Sequence, residues 1–221
     1  MRVLVIAPHP DDEVLGCGGT IVRHAKQGDS VYVCIVTKAY APDWSEEFLK
    51  NRPLEIAESN KILNITRTYF LDYPTVKLDT IPQKELNEAI AKVVSEISPQ
   101  VLYVPHRGDL TTDHRLVFDA AMVVVRPKPV AVIKRVLSYE TLSETEWAAP
   151  FPESAFMPNV YVDISDALET KLKAMAAYKT ELKEYPHPRS LEAISALAKV
   201  RGSAIRVEAA EAFMLVREIW S

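Results

Sequence analysis

An α/β fold on a mainly parallel, doubly wound sheet follows from three features of the 221-residue sequence. Strand-like and helix-like patterns alternate through the first 125 residues, as in right-handed βαβ units. The strand-like segments are continuous apolar runs, the pattern of strands covered on both faces. Polar residues able to do chemistry collect directly after these runs, at the sheet edge where open α/β sheets bind ligands.

Arg2–Ala7 (RVLVIA) is apolar and β-branched, and reads as the first strand. From Asp12 to Gln27 the apolar residues recur with helical spacing, and Gly28 stands where a residue closing the helix belongs. Val31–Thr37 is the second buried strand. Ser45–Leu63 reads as an amphipathic helix with Pro53 as a point of kinking or breakage. Thr68–Leu71 is the third strand. Thr80 and Gln83 have capping-box spacing ahead of a helix running to about Ser98. Val101–Pro105 is the fourth strand, and Asp113–Val125 is helical by pattern. Val132–Tyr139 and Asn159–Ile164 read as further strands, and helices are expected to dominate from Asp166 onward. Trp147–Pro158, with three prolines, reads as a packed surface loop. No repeat, low-complexity tract or linker divides the chain, so residues 1–221 are expected to form a single domain.

Composition narrows the function. A chain 48% hydrophobic and 25% charged is that of an ordinary globular protein. Two cysteines, Cys17 and Cys34, exclude a disulfide scaffold and suit a reducing compartment. The net charge of −4 offers no basic field for nucleic acid. No apolar run approaches the roughly 20 residues of a membrane span. The N-terminus is unlike a signal peptide, because acids follow its short apolar run at once. These features lead to the expectation of a cytoplasmic protein. They leave its oligomeric state open, a homo-oligomer included.

The first strand runs into Pro8-His9-Pro10-Asp11-Asp12-Glu13. His9 and Asp12, three apart across a strand-to-helix turn, can face one point. Asp11 must project elsewhere, so one acid can bind a metal while the other stays free. The competing reading is that Asp11 and Asp12 only cap the helix, which leaves His9 unexplained. The fourth strand ends in Pro105-His106-Arg107-Gly108-Asp109, and Thr112-Asp113-His114-Arg115 opens the next helix. In a sheet of order 3-2-1-4-5 the first and fourth strands are neighbours across the switch point. His114 then converges with His9 and Asp12. Two imidazoles and one carboxylate with an open position suit catalytic zinc, and the same set suits non-haem iron. Asp109 or Asp113 can orient a ligand histidine through its second nitrogen. Gly16, Gly18 and Gly19 lack dinucleotide-loop spacing and read as close helix-on-sheet packing with a tight turn.

These residues resemble a known family. Pro8–Glu13 followed by Val-Leu-Gly-Cys-Gly-Gly-Thr resembles the signature of PIG-L/LmbE-like N-deacetylases, and Gly108-Asp109-Leu110 with Asp113-His114-Arg115 resembles their second motif. His187-Pro188-Arg189-Ser190, Arg201-Gly202-Ser203 and Ala210-Glu211-Ala212-Phe213 are similar to the C-terminal part of one branch, so the resemblance spans nearly the whole chain. It implies a Rossmann-like three-layer fold. It also implies one metal ion, usually Zn2+ with Fe2+ or another divalent ion as alternatives, and removal of an N-acetyl or related acyl group from an amino sugar or its conjugate. By position, His9, Asp12 and His114 are then the metal ligands, Asp11 the general base acting on metal-activated water, and Arg52 a substrate contact.

The sequence departs from the family at two places. Thr111 stands where many members carry a histidine assigned to the transition state, and Arg206 stands where the C-terminal pattern has a glycine. Either Asp11 serves as both base and acid, or His106 or His187 enters the site. His187, held between Pro186 and Pro188, and Arg189 after it are expected to wall the pocket. The loops Ala39–Trp44, Trp147–Pro158 and Lys183–Ser190 are expected to set the substrate, with Tyr40 and Trp44 offering rings to a sugar. Two further readings compete. A phospho-receiver signalling domain has an acidic pair for Mg2+, Asp72 after the third strand and Lys128 before a proline, but gives His9 and His114 no role. The other is a metal-binding homologue that has lost activity with the exchange to Thr111.

Overall fold

A computed structural model describes residues 1–126 and 133–220. The strands are β1 (Arg2–Ala7), β2 (Ser30–Lys38), β3 (Arg67–Pro74), β4 (Val101–Pro105), β5 (Arg135–Tyr139), β6 (Val160–Asp163) and β7 (Ala210–Glu218). The helices are α1 (Asp12–Lys26), α2 (Glu46–Ile62), α3 (Gln83–Ile97), α4 (Thr112–Val124), α5 (Leu168–Ala177) and α6 (Leu191–Ser203). The strands form one sheet in the order β3-β2-β1-β4-β5-β7-β6. The first five pair in parallel in the expected 3-2-1-4-5 order, and β7 is antiparallel to both β5 and β6. The fold is α/β and three-layered. One apolar layer joins the sheet to α1, α5 and α6. The other joins it to α3 and α4. Among the described residues, no helix is long and apolar enough to cross a membrane.

The local rules explain most boundaries. α1 ends at Lys26, and Gly28 then takes φ +81°, a conformation open to glycine at no steric cost. Ser45 caps α2 by accepting from the Phe48 N–H, and Pro53 sits inside that helix without ending it. One expectation fails and one is incomplete. The capping box at Thr80 and Gln83 does not form: Pro82 is the residue before α3, and the Thr80 hydroxyl donates to the Lys77 carbonyl in a separate 3-10 turn. Helices α5 and α6 do dominate from Asp166 onward, and Ala210–Glu218 adds β7, wedged between two other strands. The expected strand Val132–Tyr139 is seen as Arg135–Tyr139. Val132, like Lys128, lies outside the described residues.

The glycines of α1 serve packing, as expected. A Cβ on Gly16 would stand 2.2 Å from the Tyr139 ring, and one on Gly19 would stand 2.7 Å from Ile164. Tyr139 cannot retreat easily, since its hydroxyl donates to the Ile6 carbonyl at 2.8 Å. Two buried side chains also bond to the main chain in the middle of α1. The Lys171 ammonium donates to the Leu15 carbonyl at 2.8 Å. The Glu211 carboxylate accepts from the Gly19 and Thr20 N–H groups at 2.8 and 2.7 Å. Lys171 and Glu211 pair with each other at 2.6 Å and are both buried. These bonds fasten α1 to α5 and β7.

Candidate active site and metal centre

The loop after β1 is locked before it carries any chemistry. Thr37 of β2 donates to the Pro8 carbonyl from its N–H at 2.9 Å and its hydroxyl at 2.8 Å. The His9 N–H donates to Asp12 Oδ2 at 2.8 Å. Between them Asp11 takes φ 112°, unusual for a residue with a side chain. Three bonds hold it there. Its N–H donates to Glu13 Oε2 at 3.0 Å, and its carbonyl accepts from Val14 and Leu15 at 2.9 Å each. Glu13 is itself held by the Tyr178 hydroxyl at 2.6 Å. Asp11 stands at the N-cap of α1, yet its side chain makes no capping bond, so capping does not account for it.

The β1–β4 adjacency brings the predicted ligands together. Asp12 Oδ2 lies 3.4 Å from His9 Nδ1 and 3.3 Å from His114 Nε2. Donor atoms of all three residues lie within 4.8 Å of one another. Tetrahedral edges at zinc–nitrogen and zinc–oxygen bond lengths are about 3.4 Å. The outer nitrogen of each ring is engaged: His114 Nδ1 with Asp109 Oδ2 at 2.7 Å, and His9 Nε2 with Asp113 Oδ2 at 3.0 Å. Asp109 also accepts from the Thr145 hydroxyl at 2.6 Å. His114 Nε2 is buried without a hydrogen-bond partner, which is the state of an imidazole lone pair reserved for a ligand. Burial alone would lower the His9 pKa, but the bonds to Asp113 and Asp12 raise it to about 9. Burial would raise that of Asp12, but the two imidazoles hold it far below the carboxylate range. The cluster favours positive charge at its centre, and these three donors fit a divalent cation.

Asp113 does more than touch His9. It also accepts from the Val76 N–H at 2.7 Å and the Leu78 N–H at 3.3 Å, so one carboxylate ties the β3–α3 loop to His9. Asp113→Asn is expected to weaken metal binding by about 10- to 100-fold, the usual scale for residues behind a metal ligand. Equilibrium dialysis against a competing chelator measures this, and wild-type affinity in the variant would refute it.

Of the three residues in the metal cluster, His9 faces a cleft of about 910 Å³ lined by strand ends and by α2. Asp11 lines it, with Oδ2 buried and without a hydrogen bond. Burial pushes the Asp11 carboxyl above the usual carboxylate range, the Arg189 guanidinium 3.6 Å away opposes this, and Asp12 and Glu181 reinforce it. Arg52 and Arg189 also line the cleft and grip opposite oxygens of Glu181, Arg189 at 2.5 Å. Arg189 Nε donates to the Ser143 hydroxyl at 2.7 Å. Thr111 gives both its hydroxyl and its N–H to Glu144, at 2.7 and 2.8 Å. Tyr40 and Trp44 also line the cleft.

Two expected site residues lie elsewhere. His106 Nε2 pairs with the Ser154 carbonyl at 2.9 Å and its ring meets Phe156, which pins the 152–156 loop. His187 Nδ1 accepts from the Arg189 N–H, and its ring packs on Trp147. Neither is among the residues that line the cleft. Conversely, Glu13, Glu144 and Glu181 were given no role from the sequence. Glu13 carried a signal as the last residue of its motif. Glu144 and Glu181 sit in segments without one.

Comparison with known proteins follows the same lines. Residues 4–125 match the family model described as PIG-L, GlcNAc-PI de-N-acetylase. The chain is 29% identical over 187 residues to an uncharacterized deacetylase, YaiS, of Escherichia coli K12, covering 80% of this chain and 90% of the relative. It is 27% identical over 193 residues to the diacetylchitobiose deacetylase of Thermococcus kodakarensis, covering 83% and 71%. Among solved structures, the conserved protein TT1542 of Thermus thermophilus superposes with a TM-score of 0.80 at 27% identity, over 99% of this chain and 96% of that one.

Proposed function

The chain belongs to the PIG-L family, and from that premise we propose that it is a metal-dependent hydrolase that removes an N-acetyl group from an amino sugar or its conjugate. One observation carries the reading: His9, Asp12 and His114 present converging donor atoms beside an unpaired, buried Asp11 carboxylate at the end of a cleft. The description of the family and the name of the Thermococcus relative support an N-acetylated sugar as substrate. The single sheet supports reading residues 1–221 as one catalytic domain. The net charge of −4 offers no basic field for nucleic acid.

His9, Asp12 and His114 would hold the ion, Zn2+ or Fe2+, with Asp109 and Asp113 fixing the two rings. A divalent ion there supplies Lewis acidity that polarises the amide carbonyl and acidifies the attacking water. Asp11 Oδ2 accepts the proton of that water. The carbon–oxygen bond forms, the carbon–nitrogen bond breaks, and Asp11 returns its proton to the departing amine. Among the described residues, no imidazole other than the ligand His9 lines the cleft, and the Thr111 hydroxyl is spent on Glu144. Both base and acid roles are assigned to Asp11 because its buried Oδ2 makes no hydrogen bond, whereas Glu144 and Glu181 are held by Thr111 and by the two arginines. Arg52 and Arg189, held apart by Glu181, offer N–H groups to sugar hydroxyls or the acyl oxygen.

A screen for amine release from N-acetyl amino sugars and their glycosides, with metal analysis of the same sample, tests this. Release that stops with a chelator and returns with Zn2+ or Fe2+ is the expected outcome. A metal-loaded sample that releases amine from none of them would refute the reading.

A further inference from the structure

Helix α2 packs on α5, and the space between α2 and strands β2 and β3 forms the outer arm of the cleft. Apolar side chains form much of its wall, and Lys38, Asn60 and Asp72 line it as well. Ile35 and Phe70 come from the strands, and Phe48, Leu49 and Ile56 from α2. Phe70 is 51% exposed in the middle of β3. Its strand neighbours Tyr69 and Leu71 pack into the core on the opposite face. A hydrogen bond from Asn60 Nδ2 to Thr68 Oγ1, at 2.9 Å, joins α2 to β3 beyond Phe70.

A second observation sits where the apolar arm meets the catalytic end. Arg52 lies between Phe48 and Ile56 on the same face of α2, at i+4 spacing. It is 8% exposed; its Nη2 pairs with Glu181, while its Nη1, 3.7 Å from Glu55 Oε2, makes no hydrogen bond. A buried donor without an acceptor is costly, so this N–H calls for an acceptor on whatever enters. The cleft therefore offers three zones in order: a metal cluster for the amide, a buried cation for a polar group, and an apolar slot. A free amino sugar carries hydroxyls on every side and leaves the slot unmatched, whereas ligand clefts bury apolar groups against walls of this kind.

We propose that the amide hydrolysed here is amphiphilic: it carries an alkyl or aryl group that lies between α2 and strands β2 and β3, next to Arg52. The proposal rests on the deacetylase reading, which supplies the position of the amide. The apolar group can be attached as an aglycone or as a longer N-acyl chain. Both give the same chemistry in the slot, and experiment separates them.

The test uses the full chain with Zn2+ added. Amine release is compared for N-acetylglucosamine, its phenyl and octyl glycosides, and N-octanoylglucosamine. The inference expects kcat/KM to rise about tenfold or more for the glycosides or for the octanoyl amide, since even one methylene in an apolar pocket is worth about 10-fold or more. Phe70→Ser should reduce that preference severalfold. Equal kcat/KM for all four amides overturns the amphiphile and leaves the deacetylase standing. If no amide is cleaved, the deacetylase reading fails, and calorimetry on the same sample decides the slot. Octyl glycoside binding at least tenfold tighter than N-acetylglucosamine, and weakened by Phe70→Ser, upholds it. Equal or absent binding overturns it.

Discussion

Asp11→Asn is expected to lower kcat by on the order of 10²-fold or more while metal and substrate still bind, the usual scale for an acid-base group. The substitution is close to silent in shape. Asparagine is among the residues that best tolerate positive φ, so the φ of 112° at this position survives. The bonds that hold the loop run through the Asp11 main chain to Glu13, Val14 and Leu15, and they do not need the carboxylate. What is lost is the oxygen without a hydrogen bond, 3.6 Å from Arg189, that would take the proton. Steady-state amine release, metal content and a thermal melt on one preparation check all parts together. A variant with near wild-type kcat would place the base elsewhere. A variant that has lost its metal would exchange the roles of Asp11 and Asp12.

His114→Ala is expected to lose most bound metal, and activity with it, while the fold persists. His114 is wholly buried and supplies one of the three donors that converge among the described residues. Its removal strips the cluster of the Nε2 donor beside Asp12, and Asp109, which stands behind the ring on Nδ1, does not occupy that position. The fold loses less. Asp109 keeps its bond from Thr145 and gives up one partner, a cost of about 1–3 kcal/mol for a buried polar group. Elemental analysis and circular dichroism read the two effects separately. A full equivalent of zinc in a folded His114→Ala protein would remove this residue from the ligand set.

Legibility in the sequence followed distance along the chain. His9 and Asp12 fall within one turn, and a strand-to-helix turn leaves few ways to arrange them. His114 is about a hundred residues away, yet the 3-2-1-4-5 order alone places its strand beside the first. β7 was hidden for a physical reason. Ala210-Glu-Ala-Phe-Met-Leu-Val-Arg-Glu218 is rich in strong helix formers, and its pairing with β5 and β6 overrides that preference. The capping-box spacing at Thr80 misled because Pro82 already sets the entry to α3. Glu181 was unreadable because its meaning lies in Arg52, 129 residues away, and in Arg189. His106 and His187 carried suggestive neighbours, but imidazoles also serve as clips, and both are spent on loop backbone.

The bonding of Lys171 and Glu211 to α1 bears on how the protein is made. The helix that carries Asp12 is bonded at Leu15, Gly19 and Thr20 to residues far along the chain. During synthesis His9 and Asp12 emerge first, and Glu211, which bonds the helix at Gly19, follows 192 residues beyond it. A nascent chain cut short before β7 would carry His9, Asp12 and His114 and still lack the carboxylate that anchors α1 to the sheet. The start of the chain is thus fastened to its far end by a buried ion pair that forms only once β7 is in place.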